Sequence, residues 1–216
     1  MLTAEIRWFF KQAPSFISLE QSLPFTRPSE RTDYYLAGSG PKLGIKWREG
    51  KIQIKQQQGE AQLYQNEALL GEIEIWKKWS FGLENREEYP YELHTQHWIP
   101  VSKLRRLSRL EYDESRQSVH PLSTEKEANN ICEVEITRVQ SNDHEFFTLG
   151  LEASGCEDTL RMNLITAIEY LVSKDMHRGL KLSAGNSNNY ARWLQSIIGN
   201  KSLNRPQNAG NKNQGR

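Results

Sequence analysis

Charged and apolar residues alternate in five short stretches: Glu5-Ile6-Arg7-Trp8, Ile45-Lys46-Trp47-Arg48 with Lys51-Ile52-Gln53-Ile54-Lys55, Glu72-Ile73-Glu74-Ile75, Glu133-Val134-Glu135-Ile136, and Leu149-Gly150-Leu151-Glu152. Successive side chains of a strand point to opposite faces, so each stretch predicts a strand with one apolar and one ionic surface. Residues 1–10 form the first strand, and residues 14–23 form a short helix closed by Pro24 and Pro28. A second strand covers residues 31–36. Glu49-Gly50 joins residues 45–48 to residues 51–57 as a tight hairpin. Parity places Lys46, Arg48, Lys51 and Lys55 on one face of it and Ile45, Trp47, Ile52 and Ile54 on the other.

Further along, the polar stretch 56–71 predicts a connection with a helical turn around residues 64–70, and residues 72–81 a longer aromatic and β-branched strand. Residues 98–106 form another strand, whereas residues 111–130 lack periodicity and are expected to be a loop. Residues 132–139 and 145–153 make a hairpin across Ser141-Asn142-Asp143-His144. Helical spacing begins at Asp158, with Leu160, Leu164, Ala167, Ile168, Leu171 and Val172 on one stripe and Asp158 or Thr159 as N-cap. A second helix, 188–198, carries Tyr190, Trp193, Leu194, Ile197 and Ile198 on one stripe and ends at Gly199. Both helices are expected to cover the apolar outside of the strands. The fold class is therefore α+β, mainly β: a closed or nearly closed antiparallel barrel with covering helices at the C-terminal end.

Composition narrows the partners. At 216 residues and 37% hydrophobic content the chain can bury a core as one domain, taken as residues 1–199. Residues 200–216 have almost nothing to bury and are expected to form a disordered basic tail. Lys201, Arg205, Lys212 and Arg216 are four of the 28 basic residues, so the body carries 24 against 27 acids. A broad nucleic-acid footprint is not favoured on that balance, although Trp47 among the hairpin cations suits single-strand stacking. The start lacks the pattern of a secretory signal and no apolar run is long enough to span a membrane, so a cytoplasmic location without membrane contact is expected. Cys132 and Cys156 are expected as reduced thiols. The histidines lack metal-ligand spacing apart from a loose His94/His97 pair, expected at the surface.

The ionic faces carry the chemistry. They are segregated by sign: the hairpin face is cationic, and the faces of Glu72/Glu74, Glu133/Glu135 and Glu152 are anionic. The opposite faces carry Trp8, Trp47, Ile73, Ile75, Val134, Ile136, Leu149 and Leu151, which need cover. Both features favour ionic faces that point inward, around a lumen. Each Glu-x-Glu pair sets two carboxylates about 7 Å apart on one face, where they repel unless a cation lies between them. Such a set suits a hard cation such as Mg²⁺ or Mn²⁺, while Arg48 and the lysines suit phosphate oxygens. An alternative is a non-catalytic interaction module of the same fold that uses the Tyr190 to Ile198 stripe or exposed tryptophans to bind another protein.

The order of these features resembles the CYTH family, the triphosphate tunnel metalloenzymes. The residues that carry the resemblance are Glu5, the Arg31-Thr32-Asp33-Tyr34-Tyr35-Leu36 segment, the hairpin from Gly44 to Lys55, Glu72/Glu74, Lys103 with Arg105, Glu133/Glu135, Glu152, and Ser187 to Leu194. The resemblance implies an eight-stranded tunnel barrel that binds a phosphate-rich anion of triphosphate or polyphosphate type. Where catalysis is retained, it implies divalent-metal-dependent phosphohydrolysis. By this resemblance Arg7, Lys46, Arg48, Lys51, Lys55, Lys78 and Arg105 contact phosphate, and Glu5, Glu72, Glu74, Glu133, Glu135 and Glu152 ligate Mg²⁺ or Mn²⁺. The family's first strand reads Glu-x-Glu-x-Lys, and here Arg7 and Phe9 stand at its second and third key positions.

Overall fold

The computed structural model describes residues 1–82, 97–123 and 126–202. Among them are nine strands: β1 (Leu2–Phe10), β2 (Ser29–Leu36), β3 (Leu43–Arg48), β4 (Lys51–Gln65), β5 (Leu70–Gly82), β6 (Trp98–Asp113), β7 (Ser118–Leu122), β8 (Ile131–Ser141) and β9 (His144–Ser154). Three helices accompany them: α1 (Ile17–Ser22), α2 (Leu160–Ser173) and α3 (Tyr190–Ser202). The strands run in the order β2-β3-β4-β5-β1-β9-β8-β6-β7, and β2 pairs again with β6 from Ser29↔Arg105 to Leu36↔Trp98. That second pairing closes eight antiparallel strands into a barrel, with β7 hydrogen-bonded to β6 outside the ring.

The β3–β4 hairpin turns at Glu49 and Gly50, whose φ values of 49° and 70° give the left-handed pair that matches strand twist. It fixes Lys46 opposite Gln53 and Arg48 opposite Lys51, as parity requires. Two connections expected as irregular are strands instead. β4 continues to Gln65 through a register shift between Gln58 and Gln62, where Gly59 takes φ 69°. No helical turn follows it; the Asn66 side chain accepts the N–H groups of Ala68 and Leu69 and turns the chain into β5. Within 111–130, β6 runs on to Asp113 and folds back as β7, and the Asp113 carboxylate accepts the N–H groups of Ser115 and Arg116 in the turn. Sequence polarity concealed both strands because ladder pairing, not side-chain burial, holds much of their length.

The main apolar core lies outside the barrel wall. Ile6, Trp8, Ile73, Val134, Ile136, Leu149 and Leu151 project from the strands against Leu160, Leu164, Ala167, Ile168 and Leu171 of α2, with Leu19 of α1 alongside. Thr159 holds the N-cap position of α2, but its hydroxyl donates to Glu114 and accepts no N–H from the helix. α3 departs from the expected role as an outer cover. Trp193, Leu194 and Ile197 pack on the inward-facing Phe9, Val101 and Val139, with Phe146 beside them, and plug one mouth of the barrel. Phe9 stacks on Trp193 with ring centroids 5.2 Å apart, so the ring at that first-strand position is part of the plug. The stripe proposed above for partner binding is thus buried through Trp193, Leu194 and Ile197.

α3 passes through Gly199, and the expected tail beyond residue 202 falls outside the described residues, as does His94; His97 is exposed. Both cysteines are free thiols, Cys132 buried and Cys156 exposed. No helix among the described residues is long and apolar enough to cross a membrane.

Trp193 is 2% exposed at the centre of the plug. Trp193→Ala is expected to lower unfolding stability by about 3–5 kcal/mol, measured by denaturant titration, because the ring leaves a cavity beside Phe9 and Phe146.

Candidate functional site

Strand register sets the site. Glu5 lies opposite Glu74 on β5 and Glu152 on β9, and Glu152 lies opposite Glu133 on β8, so four carboxylates form a belt across four adjacent strands inside the barrel. Two residues along, Arg7, Gly150 and Glu135 share one row. Like charges on neighbouring strands repel at such spacing, and the fold resolves this with cations drawn from other strands.

Lys55 of β4 reaches across the lumen to Glu5 and also donates to Glu152 at 3.2 Å. Burial opposes its charge, but Glu152 and Glu5 outweigh it and hold the ammonium pKa above its usual value. Arg7 donates to Glu135 at 2.8 Å and to the Thr148 hydroxyl at 3.0 Å, and Arg105 lies 3.1 Å from the other oxygen of Glu135. Burial works against the Glu135 carboxylate, yet Arg7 and Arg105 hold it well below the usual range. Gly150 makes that pairing feasible: a Cβ there would come within 2.4 Å of the Arg7 guanidinium carbon. Asp33, wholly shielded from solvent, accepts from Lys103 at 2.9 Å and Lys46 at 3.1 Å, with Arg31 at 3.4 Å. Burial would raise its pKa, but Lys103, Lys46 and Arg31 depress it strongly.

The cavity enclosed by these groups has a volume of about 320 Å³, within the range of small-molecule pockets. Arg7, Arg31, Lys46, Arg48, Lys55, Lys78, Lys103 and Arg105 line it against Glu5, Glu133, Glu135 and Glu152, with Tyr35, Trp76, Asn189 and Tyr190 adding polar and aromatic surface. Lys103 lies 3.7 Å above the Tyr190 ring. The surplus of cations is visible in their titration. Burial, and next the Lys103 charge, lower Lys46 well below its ordinary pKa; burial and Lys55 lower Lys78. Glu133 is raised by burial and by Glu152.

Of the cations expected at phosphate, the cavity brings together Arg7, Lys46, Arg48, Lys55, Lys78 and Arg105. Lys51 shares their face opposite Arg48 but is exposed and does not line the cavity. Of the acids, Glu5, Glu133, Glu135 and Glu152 line it. Glu72 and Glu74 do not; Arg192 of α3 pairs with both, at 2.6 Å from Glu72, while Asn189 and Trp76 donate to Glu74 at 2.9 and 3.1 Å. Arg31, Asp33, Tyr35, Lys103 and Tyr190 were not assigned to the site from sequence. Arg31-x-Asp33-x-Tyr35 has the same alternation as the other strands, but Tyr34 and Leu36 on the opposite face differ too little from Tyr35 to mark it.

Among the described residues no group of three or more His, Cys, Asp or Glu side chains is arranged to hold a metal ion. The carboxylates have the right chemistry for Mg²⁺ or Mn²⁺, but all except Glu133 are engaged by cations: Lys55 takes one oxygen each of Glu5 and Glu152, Arg7 and Arg105 take Glu135, and Arg192 takes Glu72 and Glu74. As folded, this donor set does not fit a divalent cation.

No protein-family model matches the chain, and no curated protein does. Among solved structures, the S. pombe Pct1 RNA triphosphatase is similar at 12% sequence identity over 96% of this chain and 85% of that chain, with a TM-score of 0.37. A likeness at that level carries no functional argument, which rests instead on the residues of the lumen.

Asp33→Asn removes the counter-charge of Lys103 and Lys46 and is expected to cost about 3–5 kcal/mol at neutral pH. A group whose folded pKa is depressed contributes stability above its unfolded pKa and loses it as pH falls. Denaturant titrations should therefore show the gap between wild type and variant narrowing below about pH 4.

Proposed function

We propose that the barrel binds a small, multiply charged phosphate-type anion, of the oligophosphate class, in its lumen. The observation that carries this reading is a set of unmet donors. The Nε atoms of Arg31, Arg48 and Arg105 are shielded from solvent and make no hydrogen bond, and all three residues line one cavity with the equally unpartnered Tyr190 hydroxyl. Buried polar atoms are nearly always satisfied, so several on one cavity argue for an occupant with several acceptor oxygens. The lowered pKa values of Lys46 and Lys78 point the same way, because a neighbouring anion favours the charged form of each. Guanidinium forks and ammonium point charges drawn from β1, β2, β3, β4, β5 and β6 suit a chain of phosphoryl groups better than one carboxylate.

Burial of Trp193, Leu194 and Ile197 removes the α3 stripe as the surface of an interaction module, which would have to use other tryptophans. Hydrolysis is not part of the proposal.

Among the described residues, Arg48 and Lys78 have no partner among the interior carboxylates; the ion pair of Arg48 there is with the exposed Glu49, at 3.9 Å. Removing either therefore relieves cation repulsion without stranding a buried charge. Tripolyphosphate is expected to raise the melting temperature of the wild type, and Arg48→Ala with Lys78→Met to abolish that rise while the free protein melts no lower. A wild type indifferent to tripolyphosphate, pyrophosphate and polyphosphate alike would overturn the reading.

Anion binding next to Lys46 and Lys78 raises their pKa values, so it takes up protons and weakens as pH rises through the alkaline range. Calorimetric titration in buffers of different ionisation enthalpy should show this uptake, smaller in Lys78→Met than in the wild type.

A further inference from the structure

We infer that the Lys55 ammonium is the resident cation of the carboxylate belt, and that the lumen takes its anion uncomplexed by a divalent metal. The second half of this inference rests on the anion-binding reading; the first stands on the belt alone.

Register shows how unusual the placement of Lys55 is. Its nearest inward neighbour on β5 is Lys78, opposite it in the ladder, so the side chain extends past its own neighbouring strand to carboxylates on β1 and β9. It ends between Glu5 and Glu152, which are directly opposite one another and would otherwise repel. A bridging cation belongs at that point, and the ammonium provides it. To enter there, a divalent ion must displace the ammonium and then lie beside Arg7 and Lys78, which repel it. Glu133 is the one belt member with no hydrogen bond or ion pair among the described residues, and the nearby charges of Arg105 and Arg109 oppose a divalent ion there. A metal on the ligand is equally unneeded. It would reduce the negative charge that Arg31, Arg48 and Arg105 meet.

Two measurements test this on the full chain. In an electron paramagnetic resonance titration of EDTA-treated protein, the wild type should leave the free Mn²⁺ signal undiminished. Lys55→Met should bind Mn²⁺ at least ~10-fold more tightly than wild type, and Lys55→Arg, which keeps the charge, should not. Stoichiometric Mn²⁺ binding by the wild type, or equal binding by wild type and Lys55→Met, overturns the assignment of Lys55. If Lys55→Met fails to fold, the wild-type titration decides. In the second measurement, tripolyphosphate should raise the melting temperature as much in EDTA as in excess MgCl2. A rise that appears only with Mg²⁺ overturns the metal-free claim. No rise in either medium defeats the anion reading itself, and the Mn²⁺ comparison then decides the role of Lys55 alone.

Discussion

Charge neutralisation across the lumen is the constraint on which the rest of this barrel depends. A ring of eight strands whose inward faces carry Lys, Arg and Glu can close only if buried charges find partners, because an ion stripped of water costs several kcal/mol. Three cross-lumen assemblies meet that demand. Asp33 gathers the cations of β2, β3 and β6; Glu135 joins β8 to Arg7 and Arg105; and Lys55 ties β4 to β1 and β9. Asp33 clamps β2 to its neighbours β3 and β6, and Arg105 joins β6 to its neighbour β8 through Glu135, whereas Lys55 and Arg7 reach past the adjacent strand. The ladders make the wall, and these pairs span its interior.

Apolar burial is then displaced to two unusual places. The larger core lies between the outer wall and α2, and the smaller one is the aromatic plug where α3 enters the mouth. The arrangement leaves a polar chamber between an apolar plug and an apolar jacket. Low dielectric on several sides strengthens every charge interaction inside, which explains why Asp33 and Glu135 are so strongly acidic while Lys46 is driven the other way. It also explains why surplus cations are tolerated: the strain of Lys46 and Lys78 is offset elsewhere by the packing of α2, a common division between a costly site and a stable scaffold.

Much of the barrel was legible because a period of two leaves a plain signature where one face is ionic and the other aliphatic. Glu133-Val134-Glu135-Ile136 and the β3–β4 hairpin show it best: parity put Glu133 with Glu135 and Lys46 with Arg48 on common faces, and segregation by sign favoured the lumen side that they occupy. The signature failed where both faces are alike in polarity, as in the far half of β4, or where both carry large amphipathic rings, as in β2. Asp33 was missed for that reason. Pairing across the lumen was not legible at all. Nothing in the local sequence says that Lys55 passes its neighbour Lys78 to reach Glu152, or that Arg192 will claim Glu72 and Glu74 from a helix more than a hundred residues away, since both depend on closure of the ring. For α3 the stripe was read correctly and its destination was not, because a helical stripe specifies an apolar contact and not which surface supplies it.

The plug has a consequence for the order in which the chamber is made. α3 follows every strand in the chain, and its first residues supply part of the lumen wall through Asn189, Tyr190 and Ala191. The ring itself needs contacts of very high sequence separation, β1 with β9 and β2 with β6, which form slowly. Only after them does α3 find the mouth that Phe9, Val101 and Val139 create. The chamber is therefore complete only with the ring closed and α3 seated, so part of its wall depends on a segment that comes after every described strand.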